Sequence, residues 1–261
     1  MYENWTQDFF INKAHLFLKI MNIRWKTAQA EAEGIAKVLS KHGISKGRIL
    51  DLMCGNGRIA IHLAKLGYEV VGIDFSPIYI EDAKKKAIEH GTESKTKFIH
   101  GDIRNLDALL KDEAPFDAVV NVWTSIGYYD EKTDEEVFRK AAKLSREGAI
   151  LVIASTGSRD FILKRFMPRT IEECGDLIVI SENKFDAFTS RLKSIWRFYT
   201  RKNNDLIYLD ELKLDLRLYS IHELYSLLKR AGWTIIETYK SITTLEPAEP
   251  TDPINIIAKK L

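Results

Sequence analysis

The chain of 261 residues lacks the features of several protein classes. Its two cysteines, Cys54 and Cys174, are too few for a disulfide framework or for a four-ligand zinc site, which favours a reducing compartment. No charged and then apolar leader follows Met1, and no apolar run approaches the roughly 20 residues that a membrane span requires. These absences predict a soluble, cytoplasmic protein.

Neither sign of charge dominates the composition. Lys and Arg total 39 against 37 Asp and Glu, which gives a formal net charge of +2. A charge this small provides no strong field for nucleic acid, although a local basic patch stays compatible with it. We expect no metal site, because the histidines show no ligand spacing; they are His15, His42, His62, His90, His100 and His222.

The chain does have a strand, turn, helix and strand pattern over residues 48–74. The apolar run Arg48–Leu52 predicts a buried parallel strand, and Gly55-Asn56-Gly57 supplies the residues of a tight turn. A helix with an apolar face should follow and end at Gly67, and a second strand should end at Asp74. This βαβ unit predicts an α/β fold.

The turn of this unit is suited to a nucleoside ligand. Gly55 and Gly57 let the backbone approach a ligand closely, and Asp74 can accept hydrogen bonds from both hydroxyls of a ribose. Gly55-x-Gly57-x-x-Ala60 also satisfies the loose dinucleotide fingerprint. Asp51 distinguishes a dinucleotide from a nucleoside cofactor that carries a cation. A carboxylate just before the turn repels a pyrophosphate and attracts an ammonium or a sulfonium.

The turn Asp51-x-x-Cys54-Gly55-x-Gly57, with an acid at the end of the second strand, closely resembles motifs I and II of the class I S-adenosylmethionine-dependent methyltransferases. Met53 departs from the pattern, since many members have glycine or alanine there. The resemblance implies S-adenosyl-L-methionine as cofactor. It also implies a doubly wound, Rossmann-like sheet of seven strands with the last strand antiparallel.

The resemblance further implies a set of cofactor-binding residues. Asp102, after the third strand, aligns with the acid that hydrogen-bonds the adenine amino group; the alternative is a loop aspartate that caps the next helix. The candidates are Asp51, Met53, Cys54, Gly55, Asn56, Gly57, Asp74, Phe75, Ser76, Gly101, Asp102, Ile103, Asn121 and Trp123.

The loop after the fourth strand, residues 123–129, should face the transferred methyl group, because it lies at the switch point of the sheet. Trp123, Tyr128 and Tyr129 are the candidate substrate contacts, since aromatic faces exclude water and attract a developing cation. Tyr128 and Tyr129 are also the candidate catalytic residues; core packing is the alternative for all three aromatic residues. No catalytic residue stands out further, because methyl transfer from a sulfonium depends mainly on orientation and desolvation.

The loop sequence also bears on the kind of methyltransferase. Asn121-Val122-Trp123-Thr124 stands where the amide-nitrogen enzymes for DNA and for protein glutamine carry Asn/Asp-Pro-Pro-Tyr. Neither cysteine is placed for the nucleophile that pyrimidine C5 enzymes need. These two absences favour acceptors other than amide nitrogens of DNA and protein glutamine and other than the C5 atom of pyrimidines.

Four segments are expected along the chain. Residues 1–44 form helices, either a packed pair or a lid with an aromatic inner side, and residues 45–155 form the cofactor-binding core. Residues 156–219 form an antiparallel insert, with strands at 177–180, 190–200 and 206–219, which we expect to arch over the methyl group. Residues 220–261 complete the sheet, and capping boxes at Thr133 and Ser220 open two helices, the first of which runs to about Ser145 with Gly148 as its stop.

The sequence predicts methyl transfer to N or O of a small molecule by a monomer or homodimer. A methyltransferase acting on RNA or protein is the first alternative, because basic residues of the insert could form one face: Lys164, Arg165, Arg169, Arg191, Lys193, Arg197, Arg201 and Lys202. A nucleotide-binding oxidoreductase is the second alternative.

Overall fold

The computed structural model of the protein describes residues 5–123 and 125–261. Residues 1–4 of the predicted N-terminal segment lie outside the described residues. So does Thr124 of the loop at residues 123–129, which we call the acceptor loop. Within the described ranges, no helix is long and apolar enough to cross a membrane.

Between residues 48 and 164, strands alternate with helical segments along the chain. The strands are β1 Arg48–Leu52, β2 Glu69–Asp74, β3 Thr96–His100, β4 Phe116–Val122, β5 Ser145–Thr156, β6 Arg169–Cys174, β7 Leu177–Asp186, β8 Arg191–Lys202, β9 Asp205–Arg217, β10 Trp233–Thr238 and β11 Ile254–Lys260. The α-helices are α1 Trp5–Gln7, α2 Ala14–Lys41, α3 Arg58–Lys65, α4 Pro77–Glu89, α5 Leu106–Leu109, α6 Glu131–Lys143, α7 Arg159–Lys164 and α8 Ile221–Arg230.

Seven strands form the main sheet in the order β10-β11-β5-β4-β1-β2-β3. β11, the last strand of the chain, runs antiparallel to both of its neighbours, whereas β1, β2, β3, β4 and β5 pair in parallel. Apolar side chains from the helices pack on both faces of this sheet. The predicted doubly wound, Rossmann-like fold with an antiparallel last strand is therefore confirmed.

The strand order places a switch point between β1 and β4. The chain leaves β1 towards β2 on one side and later returns to β4 on the other side. The carboxyl ends of β1 and β4 consequently diverge, which opens a crevice at that edge of the sheet. The bounds of β1 and β4 agree with those predicted from the sequence.

Two sequence predictions near β5 are wrong. α6 begins at Glu131, and the side chain of Asp130 accepts the Thr133 N–H, so Asp130 rather than Thr133 caps the helix. The helix ends at Lys143, and Gly148 lies within β5. The predicted capping box at Ser220 is present, with Glu223 as its second member.

The insert forms a separate four-stranded antiparallel sheet, β6-β7-β8-β9. Three of its strands were predicted, and the turn between Lys202 and Asp205 joins β8 to β9 as expected. β6 was missed because its residues are mostly exposed on both faces, so that no alternation of apolar and polar residues marks it. The short helix α7 at the start of the insert was also not predicted.

The N-terminal segment forms one long helix, not a packed pair. α1 and a π-helical turn at Asp8–Asn12 precede α2, which has 28 residues. The second half of α2 packs against the main core through Ala28, Ala32 and Ile35. Gly34 permits this docking, because a Cβ atom there would lie 2.0 Å from the Ile242 carbonyl oxygen.

We expect Gly34→Ala to lower the free energy of unfolding by about 1–3 kcal/mol, because the added methyl group clashes with a backbone carbonyl. Helix propensity alone predicts the opposite sign, a gain of about 1 kcal/mol. Urea unfolding measures the difference, and Gln29→Ala, on the exposed face of α2, is the control. A more stable Gly34→Ala protein would contradict the close contact.

Candidate active site

A cavity lies at the carboxyl ends of β1, β2 and β4, where the sheet diverges. It encloses about 790 Å³, including its mouth, which is within the usual range for small-molecule sites. Its lining residues are Thr6, Phe10, Phe17, Met21, Asp51, Met53, Cys54, Gly55, Asn56, Arg58, Ile59, Asp74, Phe75, Tyr79, Ile103, Val122, Trp123, Ser125, Tyr128 and Tyr129.

The turn after β1 has the geometry that its glycines allow. Gly55 and Gly57 have positive φ angles of 55° and 73°, and the Gly55 N–H donates to Asp74 Oδ2 at 2.8 Å. Met53 also has a positive φ, 57°, which strains a residue that has a side chain. A glycine or alanine at position 53, as in many enzymes with this motif, fits the turn with less crowding.

Asp51 and Asp74 are both buried at the cavity. Burial raises the pKa of Asp51 to about 7 against the opposing effect of Arg58, and it raises the pKa of Asp74 to about 6. Both Asp74 oxygens accept backbone N–H groups, from Gly55 and Ser76. Asp51 Oδ2 has no hydrogen-bond partner among the described residues. Asp51 therefore remains short of favourable contacts inside the protein.

Arg58 is a cavity residue that the sequence analysis missed. It is buried, and its Nη1 lies 2.9 Å from Glu31 Oε2 on α2. Its guanidinium also lies 5.5 Å from the centre of the Trp123 ring. An arginine directly after the glycine turn was the available signal, but its partner lies 27 positions away and cannot be inferred locally.

Other polar atoms near the strand ends are also unpaired. Asn56 Oδ1, Ser76 Oγ and Asn121 Oδ1 are buried without partners in the part of the chain that the structure describes. Unsatisfied buried groups are uncommon in folded proteins, and a cluster of them is typical of a ligand site. Asn56 and Asn121 also use their amide groups to hold the site, by donating to Asn22 and to the Leu52 carbonyl.

The loop after β4 supplies aromatic side chains to the cavity. Trp123 has a positive φ of 67°, an unusual conformation for a large residue, and Phe17 stacks on its ring at 5.3 Å. Tyr128 contacts Trp5 and Phe10, with ring centres 5.4 and 5.2 Å away. The predicted lid aromatics and the predicted loop aromatics thus meet above the strand ends.

The structure brings most predicted site residues to the cavity and leaves five outside its lining. Asp51, Met53, Cys54, Gly55, Asn56, Asp74, Phe75, Ile103, Trp123, Tyr128 and Tyr129 line it, whereas Gly57, Ser76, Gly101, Asp102 and Asn121 do not. Gly57, Ser76 and Asn121 belong to the turns and strand ends behind the lining. The contribution of all these residues to cofactor binding stays a prediction.

Asp102 occupies the position of a helix cap. It accepts the Arg104 N–H at 2.9 Å and pairs with the Arg104 guanidinium, which lies 5.0 Å from the Tyr129 ring centre. These contacts fit the alternative of a capping aspartate. Binding of an adenine amino group by Asp102 requires that it share or release Arg104.

The insert does not line the cavity, contrary to the expectation that it arches over the methyl group. Its apolar residues Leu177, Phe198 and Leu212 pack instead against Phe9 and Leu16 of the N-terminal segment. The roof of the cavity consists of the N-terminal segment, and the insert supports that roof from behind.

Comparisons with known proteins agree with this geometry. Residues 49–148 match the family model described as a methyltransferase domain. The chain carries a methyltransferase domain. The oxidoreductase alternative is therefore set aside. The chain is 28% identical over 218 residues to the putative methyltransferase YqeM of Bacillus subtilis (strain 168). The match covers 82% of this chain and 85% of the relative.

Solved structures resemble the whole enzyme. A S-adenosylmethionine-dependent methyltransferase from Clostridium acetobutylicum ATCC 824 has a TM-score of 0.77 at 17% identity, covering 95% of this chain and 97% of that one. CalS10, an amino pentose methyltransferase from Micromonospora echinaspora, has a TM-score of 0.72 at 15% identity, covering 94% and 97%. At these identities, the structures demonstrate a shared fold.

We expect Asp51→Asn to stabilise the cofactor-free enzyme increasingly as pH rises. The folded-state pKa of about 7 exceeds the ordinary value of 3.8, so the folded state binds more protons than the unfolded state between these values. Its free energy of unfolding therefore falls as pH rises through that window. The neutral asparagine removes this loss.

Urea unfolding at about pH 5 and about pH 8 measures this effect. The stability of Asp51→Asn relative to the parent enzyme should grow by roughly 1–3 kcal/mol between the two conditions. Asp176→Asn, a change at an exposed aspartate, is the control and should show no such trend. A pH-independent difference for Asp51→Asn would contradict an unpaired buried carboxylate.

Proposed function

We propose that the enzyme transfers a methyl group to N or O of a small molecule held in the cavity between the strand ends and the N-terminal segment. The observation that carries the proposal is the aromatic roof. Phe10 and Phe17 line the cavity from above, and Phe10 packs against Tyr128 of the acceptor loop. A cavity roofed in this way suits a small acceptor better than a folded RNA.

Contacts with two strands of the insert hold the roof of the cavity in place. On the outer side, Phe9 contacts Trp196 of β8 with ring centres 5.8 Å apart. At the α2 end, Lys13 forms an ion pair with Asp210 of β9 at 2.8 Å. Access for a large substrate requires that these contacts break together, which favours an acceptor small enough to enter through the mouth.

Four of the eight basic residues singled out on the insert pair with acids in the described structure. Arg197 pairs with Glu182 and Glu211, and Arg201 pairs with Glu173. Arg169 shares Glu182, and Arg191 is buried against Asp215. Neutralised arginines contribute little to phosphate binding, so the charge pattern weakens the RNA alternative.

The cavity residues fit the polar groups of S-adenosylmethionine. The free oxygen of Asp51 suits the ammonium group, Asp74 suits the ribose hydroxyls, and the guanidinium of Arg58 suits the carboxylate. The bound cofactor supplies an electrophilic methyl group. The enzyme's own residues bind it, orient the acceptor and exclude water from the reaction.

One solved structure with this fold is consistent with a small acceptor. CalS10, which shares the fold, is an amino pentose methyltransferase by its description. The expectation of a monomer or homodimer stays a prediction.

Partition of a transferred label tests the proposal. The enzyme is incubated with S-adenosylmethionine tritiated in its methyl group and with a complete extract of the producing cells, that is, the cells that naturally contain the enzyme. The mixture is then separated into small molecules, RNA and protein. We expect the label in the small-molecule fraction. Enzyme-dependent label in RNA or protein would overturn the proposal, and enzyme preincubated with S-adenosylhomocysteine is the control.

We expect Tyr128→Ala to lower turnover by roughly ten- to a hundredfold, because its ring closes the acceptor side of the cavity against Trp5 and Phe10. The dissociation constant for S-adenosylhomocysteine should stay nearly unchanged, since the Tyr128 ring packs against the N-terminal segment, whereas Asp51 and Asp74 belong to β1 and β2. Kinetics and calorimetry measure the two effects. Tyr225→Ala, at an exposed tyrosine of α8, is the matched control, and equal loss of both functions in Tyr128→Ala would contradict the assignment.

A further inference from the structure

We propose that the acceptor atom is the nitrogen of an amine, which enters the cavity as the neutral base and is methylated without a general base from the enzyme. This inference rests on the proposed function, a small acceptor in the cavity, and specifies its chemical class. It follows from which ionisable groups line the cavity and from what each of them already contacts.

Among the described residues, the cavity lining contains no histidine, lysine or glutamate. Its ionisable groups are Asp51, Cys54, Arg58, Asp74, Tyr79, Tyr128 and Tyr129. The first four lie on the cofactor side: Asp51 on β1, Cys54 in the turn that follows it, Arg58 at the start of α3 and Asp74 at the end of β2. The side of the cavity formed by the N-terminal segment contributes Thr6, Phe10, Phe17 and Met21, which do not ionise in the neutral range.

The three tyrosines are poor bases. Burial raises the pKa of Tyr129 to about 12 and raises the pKa values of Tyr79 and Tyr128 further above their ordinary range. Their phenols therefore stay protonated near neutral pH and can donate hydrogen bonds. The Tyr79 hydroxyl donates its proton to the Ala14 carbonyl at 3.3 Å. This hydrogen bond further stabilises the protonated phenol.

The groups on the cofactor side are also unsuited to deprotonating an acceptor. Asp74 accepts two backbone N–H groups, and Asp51 faces Arg58 and is placed for the cofactor's ammonium group. Burial raises the pKa of the Cys54 thiol, so that it stays protonated. An alcohol acceptor, which needs help to lose its proton, finds no free base here.

Anionic acceptors are disfavoured as well. A phenolate or carboxylate that ionises in water needs no base, but it would approach the negative faces of the aromatic rings and the two aspartates. Arg58, the cation of the lining, lies on the cofactor side, where it is assigned to the cofactor's carboxylate and also contacts Glu31. A neutral amine meets none of these costs on entry.

The reaction of an amine balances without a protein base. The nitrogen lone pair attacks the sulfonium methyl carbon and forms the N–C bond, while the electron pair of the C–S bond returns to sulfur and leaves a thioether. Positive charge thus moves from sulfur to nitrogen. The new ammonium faces the rings of Phe10 and Tyr128, which attract cations, and it loses its proton to water after release.

The position of the transferred methyl group tests the inference. The enzyme is incubated with S-adenosylmethionine carrying a ¹³C methyl group and the small-molecule extract of the producing cells, and carbon NMR distinguishes N-methyl from O-methyl products. A methyl on nitrogen is the expected result. A methyl on oxygen would overturn the inference and leave the proposed function intact, whereas label confined to RNA or protein in the partition experiment described above would overturn the proposed function itself.

The pH profile with the acceptor identified in this way provides the second readout. The ratio kcat/KM should rise with pH up to the pKa of the acceptor's own conjugate acid. With an analogue fluorinated near the nitrogen, whose conjugate acid has a lower pKa, the inflection should move by the same amount. An inflection at one pH for both acceptors would reveal an ionising group of the enzyme and overturn the inference.

Discussion

Two carboxylates buried side by side at the carboxyl ends of β1 and β2 are the constraint on which the site depends. Asp51 and Asp74 lose hydration when the chain folds, and burial raises the pKa of each. Asp74 recovers part of this cost through the N–H groups of Gly55 and Ser76, whereas Asp51 keeps one oxygen unpaired. The remaining cost becomes useful when a cationic ligand arrives, because the charge of the ligand is then matched in a site that already excludes water.

The same constraint explains the role of α2. A buried pair of acids needs a cover, and α2 provides it while contributing polar contacts at the glycine turn. Asn22 accepts from the Asn56 amide at 3.0 Å, and Glu31 pairs with Arg58. Gly34 then lets the helix lie against the backbone at Ile242. One helix therefore joins the main core, the cofactor turn and the aromatic roof, so small shifts along α2 must change the cavity.

The sequence predicted the parts of the site that are local in the chain. β1, the glycine turn and Asp74 fall within residues 48–74, where strand, turn and ligand chemistry can be inferred from spacing alone. Tyr79 and Met21 were missed because they reach the cavity from α4 and α2, and Arg58 was missed because its partner Glu31 lies on α2. β6 lacks an alternating pattern, and Asp130 competes as a cap with a motif three residues later. Both errors arise where tertiary contacts decide the outcome.

The insert shows how a segment can shape a site that it does not line. The Arg217 N–H donates to the Gly127 carbonyl at 2.8 Å, and Arg191 donates to the Tyr129 carbonyl at 3.2 Å. Gly127 has a φ of 91°, and a Cβ atom there would lie 2.1 Å from the Arg217 carbonyl oxygen, so the loop and β9 fit only without a side chain. Because Tyr128 lies between these anchored positions, the insert fixes the part of the cavity wall that Tyr128 forms. Changes in the insert can therefore alter acceptor choice by moving the loop, even though no described residue of the insert reaches the cavity.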